Sequence, residues 1–396
     1  MNKEMTICDT CTGCGACSVI CPKEAISIRK NFEGFYQYSI DHAKCIQCGL
    51  CKKVCPENDI VVEAEEKTFE QKYYAGRNDD MACILKSSSG GIFSAFATTI
   101  INKGGSVYGV AINYPSCEIV YKRATNIEDT YPMRGSKYVQ AKLSKDILIN
   151  VIQDAEADKP ILFTGTSCYI NGVKSLLEKR KIDMNNIYFM DFVCAGVIST
   201  KIWDKEIEHF SNRYGSINEF SFRHKKYGWR DFSIFIQTKT IDKYTRFTVS
   251  NIGQFQSKKE AVGISCNECK YRSYDKPGDI TVGDFWNEQY LPHEWWDDKG
   301  TSSILVNTSK GEALLQDSNK YIKLYNVEKR MVYSSRFEKN KGEIDHSRRT
   351  ELYRDAENIV WGDFIKKWIH IGIKDRLLLT IIRPIVIKMG ILRLKK

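Results

Sequence analysis

The sequence predicts a multidomain chain of mixed class, α+β at the front and α/β in the body. Two observations carry this. Residues 11–56 hold nearly the same cysteine line twice, "CTGCGACSVICP" and "CIQCGLCKKVCP", 34 residues apart. The body then holds two strand–loop–helix units in a row, "KPILFTGTSCYINGVKSLLEK" and "NIYFMDFVCAGVISTKIWDKEIEHF". Successive units of that kind argue for a partly parallel sheet. A chain of 396 residues has room for two or three domains. We place them at 1–62 for the cysteine lines, 63–340 for the α/β body and 341–396 for a basic tail.

Both cysteine lines read C-x2-C-x2-C-x3-C-P. The first uses Cys11, Cys14, Cys17, Cys21 and Pro22, the second Cys45, Cys48, Cys51, Cys55 and Pro56. This is the spacing of bacterial two-cluster ferredoxins, whose ligands hold 4Fe-4S cubanes. Three thiolates of a tight loop reach one cluster, and the fourth turns towards the other. The expected sets are therefore Cys11, Cys14 and Cys17 with Cys55, and Cys45, Cys48 and Cys51 with Cys21. Zinc sites usually pair two C-x2-C knuckles across a longer spacer, often with His, and neither line does so. Gly15 and Gly49 fall where backbone must pass close to a cluster, and Cys8 lies outside the pattern as a spare thiol. Nine of the fifteen cysteines lie within the first 55 residues. The opening "MNKEMTICDT" has no apolar run and no small-residue cleavage site. Together these point to a reducing, cytoplasmic setting in which thiols bind metal. Two neighbouring clusters make a wire for single electrons, and a wire needs something at its end.

The net charge of +10 is concentrated in the tail, where Ile365–Lys396 carries nine Lys or Arg and one Asp. The remainder is near +2, so no nucleic-acid surface is expected. The longest uncharged run there, Leu377–Ile382, is far short of the roughly 20 apolar residues that span a bilayer. A basic, apolar segment containing Trp368 can lie on an anionic membrane at the inner face, but the pattern favours a helix packed on the body with its lysines in water.

In the body, "ENDIVVEAEEKTFEQKYY" reads as an acidic linker running into the first segment of the domain. "KSSSGGIFSAFATTIINKGGSVYGVAI" then gives a Ser/Gly loop, a helix of about three turns, a "KGG" stop and a strand. A Ser/Gly loop that opens a helix offers free N–H groups and a positive dipole end. Ser88, Ser89, Gly90 and Gly91 are thus suited to a flavin pyrophosphate, and equally to an ordinary helix cap. In "RGSKYVQAKL", Gly135 and Ser136 suggest a turn into a helix or an extended run. Lys137 and Tyr138 there could pair a cation and an aromatic with a flavin, or be a solvated Lys and a packed Tyr. Cys168 and Cys194 fall just past the carboxyl ends of their strands, where open α/β sheets bind ligands. Cys266 and Cys269 add a C-x2-C. These four thiols suffice for a third cluster or for zinc, and the upstream wire favours the cluster.

The two cysteine lines, "SSSGG", "GSKYVQ", "FTGTSC", "VCAGV", "FRHKKYGW" and "CNECKYRSYDKPGDITVGDFW" occur in an order that resembles the beta subunits of deazaflavin-coenzyme (F-420) hydrogenases and dehydrogenases, in the subgroup with a fused two-cluster ferredoxin. The resemblance runs from about Thr10 to about Trp286. It implies an iron–sulfur flavoprotein: FAD in the α/β domain and a third 4Fe-4S cluster on Cys168, Cys194, Cys266 and Cys269. FAD contacts are implied for Ser88 to Gly91, Gly135 to Tyr138, and Thr164, Gly165 and Thr166. Lys137 would lie near the isoalloxazine, and Arg223 and Lys225 would meet an anionic substrate or a flavin phosphate, which makes Lys137 and Arg223 the catalytic candidates. The implied activity is that of a ferredoxin-coupled flavin oxidoreductase acting on an unidentified organic acceptor or donor. Its external redox partner would be ferredoxin or the deazaflavin coenzyme. Some relatives accompany surface-polysaccharide synthesis. The rival readings are a subunit that relays electrons to a partner enzyme and a flavin-less iron–sulfur scaffold. The chain departs from the family in two loops: Ser167-Cys168-Tyr169 stands where Pro-Cys-Gln is usual, and Ala195 where His is usual. The familiar deazaflavin substrate is therefore not assumed. No clear acid–base pair is present, and His224 reads as structural or anion-binding.

Overall fold

The computed structural model describes residue 8 and residues 10–58, 69–332, 334, 337 and 343–390. The acidic stretch 59–68, the domain boundaries expected after 62 and 340, and the final 391–396 lie outside the described residues.

The front of the chain folds as α1 (Ala16–Ile20), β1 (Ile26–Lys30), β2 (Tyr36–Ile40) and α2 (Leu50–Val54). The two strands pair antiparallel, Ile26 opposite Ile40, and the two short helices pack together. The body begins with β3 (Lys72–Asn78), α3 (Met81–Lys86) and α4 (Ile92–Asn102). It continues through β4 (Ser106–Asn113), β5 (Glu118–Ala124), α5 (Lys145–Glu156), β6 (Ile161–Thr164), α6 (Ser167–Lys179), β7 (Ile187–Phe192) and α7 (Thr200–Tyr214). An antiparallel three-stranded sheet follows: β8 (Ile217–His224), β9 (Ser233–Thr238) and β10 (Asp242–Arg246). After it come α8 (Asn251–Ser257), α9 (Ile264–Asn267), β11 (Ile280–Asp284), β12 (Ser302–Val306), α10 (Ser309–Asp317), β13 (Ile322–Asn326), α11 (His346–Asn358) and α12 (Trp361–Trp368).

The large sheet runs β13-β3-β12-β11-β7-β6-β4-β5. Its four middle strands, β11, β7, β6 and β4, are parallel, and the remaining pairings are antiparallel. The middle is covered on both sides, which is why β6 is buried throughout and apolar up to Thr164. Side chains of a strand alternate between faces. Ile161 and Phe163 join a core with α5, α6 and the cysteine-bearing front. Leu162 joins the opposite core with α4 and α10. The expected sheet and both strand–loop–helix units are therefore present. One boundary differs from expectation. The helix after β6 starts at Ser167, so Cys168 sits in its first turn rather than in the loop. The "RGSKYVQ" segment is extended, with Val139 bridging Ile198.

The front is stitched to the body by polar contacts. Tyr36 N–H donates to Gln140 Oε1 at 2.6 Å, Gln140 Nε2 donates to the Thr12 carbonyl at 3.0 Å, and Tyr38 Oη donates to the Leu143 carbonyl at 2.9 Å. Much of the expected tail also belongs to the core. Leu352, Tyr353, Phe364 and Trp368 of α11 and α12 are buried in the same cluster as Phe35 and Trp203. Arg349, 2 % exposed, forks onto Glu33 and donates to the carbonyls of Glu260 and Val262. One guanidinium so ties the β1–β2 turn, α11 and the segment before Cys266. Only after Gly372 does the chain leave the core. Ile373–Leu377, Leu378–Ile382 and Arg383–Lys388 run on as one helix, with a π turn just before Pro384. Pro cannot donate to the preceding turn, and a π turn relieves that mismatch. No helix among the described residues is long and apolar enough to cross a membrane.

Replacing Arg349 with Met leaves the partly buried Glu33 carboxylate without its fork. We expect a loss of about 3 kcal/mol, measured as a lower denaturant midpoint, with Glu33→Gln losing less.

Candidate functional site

The cysteine repeat is also a repeat of backbone. Gly13 and Gly15 lead into α1 with φ of 81° and 82°, and Gln47 and Gly49 lead into α2 with φ of 56° and 74°. These left-handed residues tighten each loop so that successive thiols turn to one side. Cys11, Cys14, Cys17 and Cys55 line one small cavity with Tyr38 and Glu57. Cys55 caps α2, and Cys21 caps α1 in the equivalent position for the second loop. Cys45, Cys48 and Cys51 lie nearer the surface, with Cys48 exposed. Backbone N–H groups donate to the Cys21 and Cys45 sulfurs, each at 3.4 Å. Burial pushes the Cys14 thiol up to about 12 and raises Cys17 as well. Buried thiols of this kind lose their protons when a cation arrives, so metal binding and proton release are coupled. The donor set fits 4Fe-4S clusters: four thiols each, loops hinged on left-handed residues, and N–H groups aimed at sulfur. Among the described residues, no three His, Cys, Asp or Glu side chains converge tightly enough for a single ion.

Cys8, set aside as a spare thiol, lines the first cavity too, with its sulfur 3.7 Å from that of Cys55. The sequence held a signal for this, because Cys8, Cys11, Cys14 and Cys17 follow one another at a constant spacing of three.

Helix α6 joins this front to the body. Gly172 faces Cys14 so closely that a Cβ there would lie 2.4 Å from the Cys14 sulfur. Ser175 on the same helix donates to the Val54 carbonyl, just before Cys55, at 2.9 Å. One turn back towards the N-terminus, about 6 Å, stands Cys168. It lines a second and far larger cavity of about 1030 Å³. Cys194, Cys266 and Cys269 line the same cavity; burial raises the Cys168 thiol pKa, and these three thiols add to it. The structure thus brings the four later cysteines together. The unusual neighbours of Cys168 have partners of their own. Ser167 donates to Asp191 at 2.8 Å, while Tyr169 donates to the Ala141 carbonyl and stacks on Tyr121, 5.6 Å between centroids.

The far wall of the cavity is the Ser/Gly loop. Ser88, Ser89 and Gly91 line it with the first residues of α4, and Gly135, Ser136, Lys137, Tyr138, Thr164, Gly165 and Thr166 line it as well. The Ser136 N–H donates to Ser88 Oγ at 2.7 Å, which locks the two loops together. Gly91 has φ 81° and starts the helix. Gly90 plays a different part. Its N–H donates to Ser302, and a Cβ would lie 2.4 Å from the Gly76 carbonyl oxygen, so it packs against the sheet instead of the cavity. Lys225 is likewise spent elsewhere, on the carbonyls of Ile84, Ser89 and Lys299 at 2.6, 2.7 and 2.6 Å. It holds the Ser/Gly loop in place and is not free for an anion. Lys137 donates to the carbonyls of Arg134 and Pro132 at 2.8 and 3.0 Å. Burial pulls its pKa down to about 7, against those oxygens, which favour the ammonium. His224 accepts from the Lys226 N–H and packs against Phe235 and Tyr244, a structural setting.

Arg223 differs from both lysines. It is 8 % exposed, lines the cavity and donates through Nη1 to Asp284 at 2.7 Å. Its Nε and Nη2 are buried and meet no partner at ordinary hydrogen-bond geometry, with the Tyr138 hydroxyl the neighbouring polar group. A buried, unsatisfied guanidinium edge is costly unless an anion completes it. Its plane rests 4.3 Å from the Phe232 ring. Phe232, Phe247, Trp286 and Arg134 also line the cavity, and sequence reading singled out none of them individually. Only Trp286 had a signal, its place in "GDFW".

Comparison with known proteins matches two stretches of the chain. Residues 158–330 match the family described as the C terminus of the coenzyme F420 hydrogenase/dehydrogenase beta subunit, and residues 10–59 match the 4Fe-4S dicluster domain. Among solved structures, a chain of the F420-reducing [NiFe] hydrogenase complex from Methanosarcina barkeri, studied by xenon derivatization, is similar at 15% identity and a TM-score of 0.44, over 76% of this chain and 94% of that one. No curated protein matches.

Alanine at Gly172 improves helix propensity by about 1 kcal/mol, so any loss it causes comes from the Cys14 contact. Gly172→Ala is expected to lower thermal stability and to cost about four irons per chain, read by iron assay. Unchanged iron and stability would refute the contact's importance.

Proposed function

We propose that this chain, a member of the coenzyme F420 hydrogenase/dehydrogenase beta-subunit family with a 4Fe-4S dicluster domain, is an iron–sulfur flavoprotein oxidoreductase. In this reading Cys168, Cys194, Cys266 and Cys269 hold a third 4Fe-4S cluster and the rest of the cavity takes FAD. An external redox partner serves the clusters, and an organic acceptor or donor of unidentified class meets the flavin. The observation that supports it most is one cavity of about 1030 Å³ lined both by four thiols and by a helix-opening Ser/Gly loop. Its size is at the upper end for small-molecule and cofactor sites. When bound, the clusters supply one-electron transfer and FAD supplies two-electron chemistry.

The protein's own groups do the rest. The N-terminus of α4, opened by Gly91, and the free edge of Arg223 offer two separate places for negative charge. Asp284 fixes the Arg223 guanidinium through Nη1 beside the cavity that Arg223 lines. Tyr138, Phe232, Phe247 and Trp286 give apolar faces for a planar ring and keep water away from it. Lys137, held by the carbonyls of Pro132 and Arg134, keeps a cation beside the ring site. Ser88 and Ser136 fix the loop against the cavity before any ligand arrives.

Purification without oxygen, with iron, zinc and flavin assayed per chain, tests the proposal. About twelve irons and one FAD are expected. About eight irons with one zinc would move the four later cysteines to a structural metal site. Eight irons without flavin would overturn the flavin reading and leave a ferredoxin fused to a binding domain. Arg223→Ala should weaken FAD retention about ten-fold with iron unchanged, read by flavin release on dilution. Unchanged retention would assign its free edge to the organic substrate instead.

A further inference from the structure

The helix running from Ile373 to Lys388 has no part in the cavity. Its apolar side chains face outward. Ile373 is 90% exposed, Leu377 50%, Ile381 51%, Ile385 52% and Met389 66%, and Leu378 and Ile382 are about as bare. From Leu377 onward these positions recur every four residues, so they form one stripe. On the other side, Ile387 is buried and Thr380, Arg383 and Pro384 are half-covered. A surface helix of a globular protein turns its apolar stripe inward; this one turns it out. Lys374 and Arg376 are exposed on this helix and Arg383 is half-covered, against a single acid, Asp375.

We infer that this helix lies flat on an anionic lipid bilayer, its stripe among the acyl chains near the headgroups and its cations on the headgroup phosphates. Charge argues for that occupant. Two copies of the chain joined through the stripe would bring the same cations face to face, whereas an anionic surface satisfies them. Length argues for lying on the surface, because 16 residues reach only about 24 Å, short of a bilayer core. The attachment has an orientation. The turn Phe247–Val249 rests against Leu378–Ile382, and Phe247 lines the large cavity. The Phe247 wall of the cavity therefore faces the lipid.

The test uses the full chain with its clusters, mixed with vesicles of phosphatidylcholine alone or with added phosphatidylglycerol, then sedimented. Binding to the anionic vesicles is expected at least about ten-fold tighter than to the neutral ones, and weaker as salt is added. Leu378→Glu with Ile382→Glu should abolish sedimentation, while Lys374→Glu with Arg383→Glu should abolish the preference for anionic lipid. All four side chains are exposed or half-covered, and an unchanged visible spectrum checks that each variant is folded. Wild-type protein left in the supernatant with both vesicle types overturns the inference. So does a wild-type dimer in gel filtration that the Glu pair splits, which would give the stripe to a second copy.

Discussion

The contact on which this structure depends is the bare face of Gly172 against the sulfur and Cβ of Cys14. It sets how near the cysteine-bearing front can come to the sheet, and everything on either side inherits that spacing. The front is held in register by Gln140, Tyr38 and the Arg349–Glu33 fork, none of which would align if α6 stood further off. On the other side, the same helix delivers Cys168 one turn away. The separation between the Cys14 loop and Cys168 is in this way fixed by a missing methyl group in a rigid helix, not by a flexible linker.

The large cavity follows from the topology. The parallel strands β6 and β7 end at the same edge of the sheet, which is where open α/β sheets leave a crevice. Cys168 and Cys194 emerge there because each directly follows one of those strands. The Ser/Gly loop and the "RGSKY" segment close the crevice from the other side, clamped by the Ser88–Ser136 pair. Lys225 anchors that clamp from behind through three carbonyls. Of the conspicuous cations in "FRHKKYGW", Lys225 builds the wall and Arg223 lines the cavity.

Spacing carried what the sequence made legible. The cysteine lines announced a folded repeat because metal-binding loops tolerate few lengths, and the two strand–loop–helix units announced the parallel centre because their strands are short, mostly apolar runs, each followed by an amphipathic helix. What stayed hidden depended on partners distant in sequence. Nothing near Lys225 shows that its ammonium will meet carbonyls of Ile84 and Lys299, and nothing near Gly90 shows that it packs on Gly76 and Ser302. The packing of α11 and α12 was hidden for a similar reason. Their basic surface residues mask a buried set, Leu352, Tyr353, Phe364 and Trp368, whose counterparts lie in the front and in α7. Cys8 was overlooked because only a repeat in the first line, and not in the second, includes it.

The two cysteine loops are equal in sequence but not in shelter. Cys14 and Cys17 are buried beneath the body, while Cys48 stands exposed at the outer end. Oxygen and chelators therefore meet the two sites in a fixed order. Air would take iron from the outer loop first and spare the inner one for as long as α6 stays seated. A preparation that has lost half of its front iron is then a uniform population with the inner site filled, not a mixture of full and empty chains. Its remaining spectroscopic signal belongs to the site that touches Gly172.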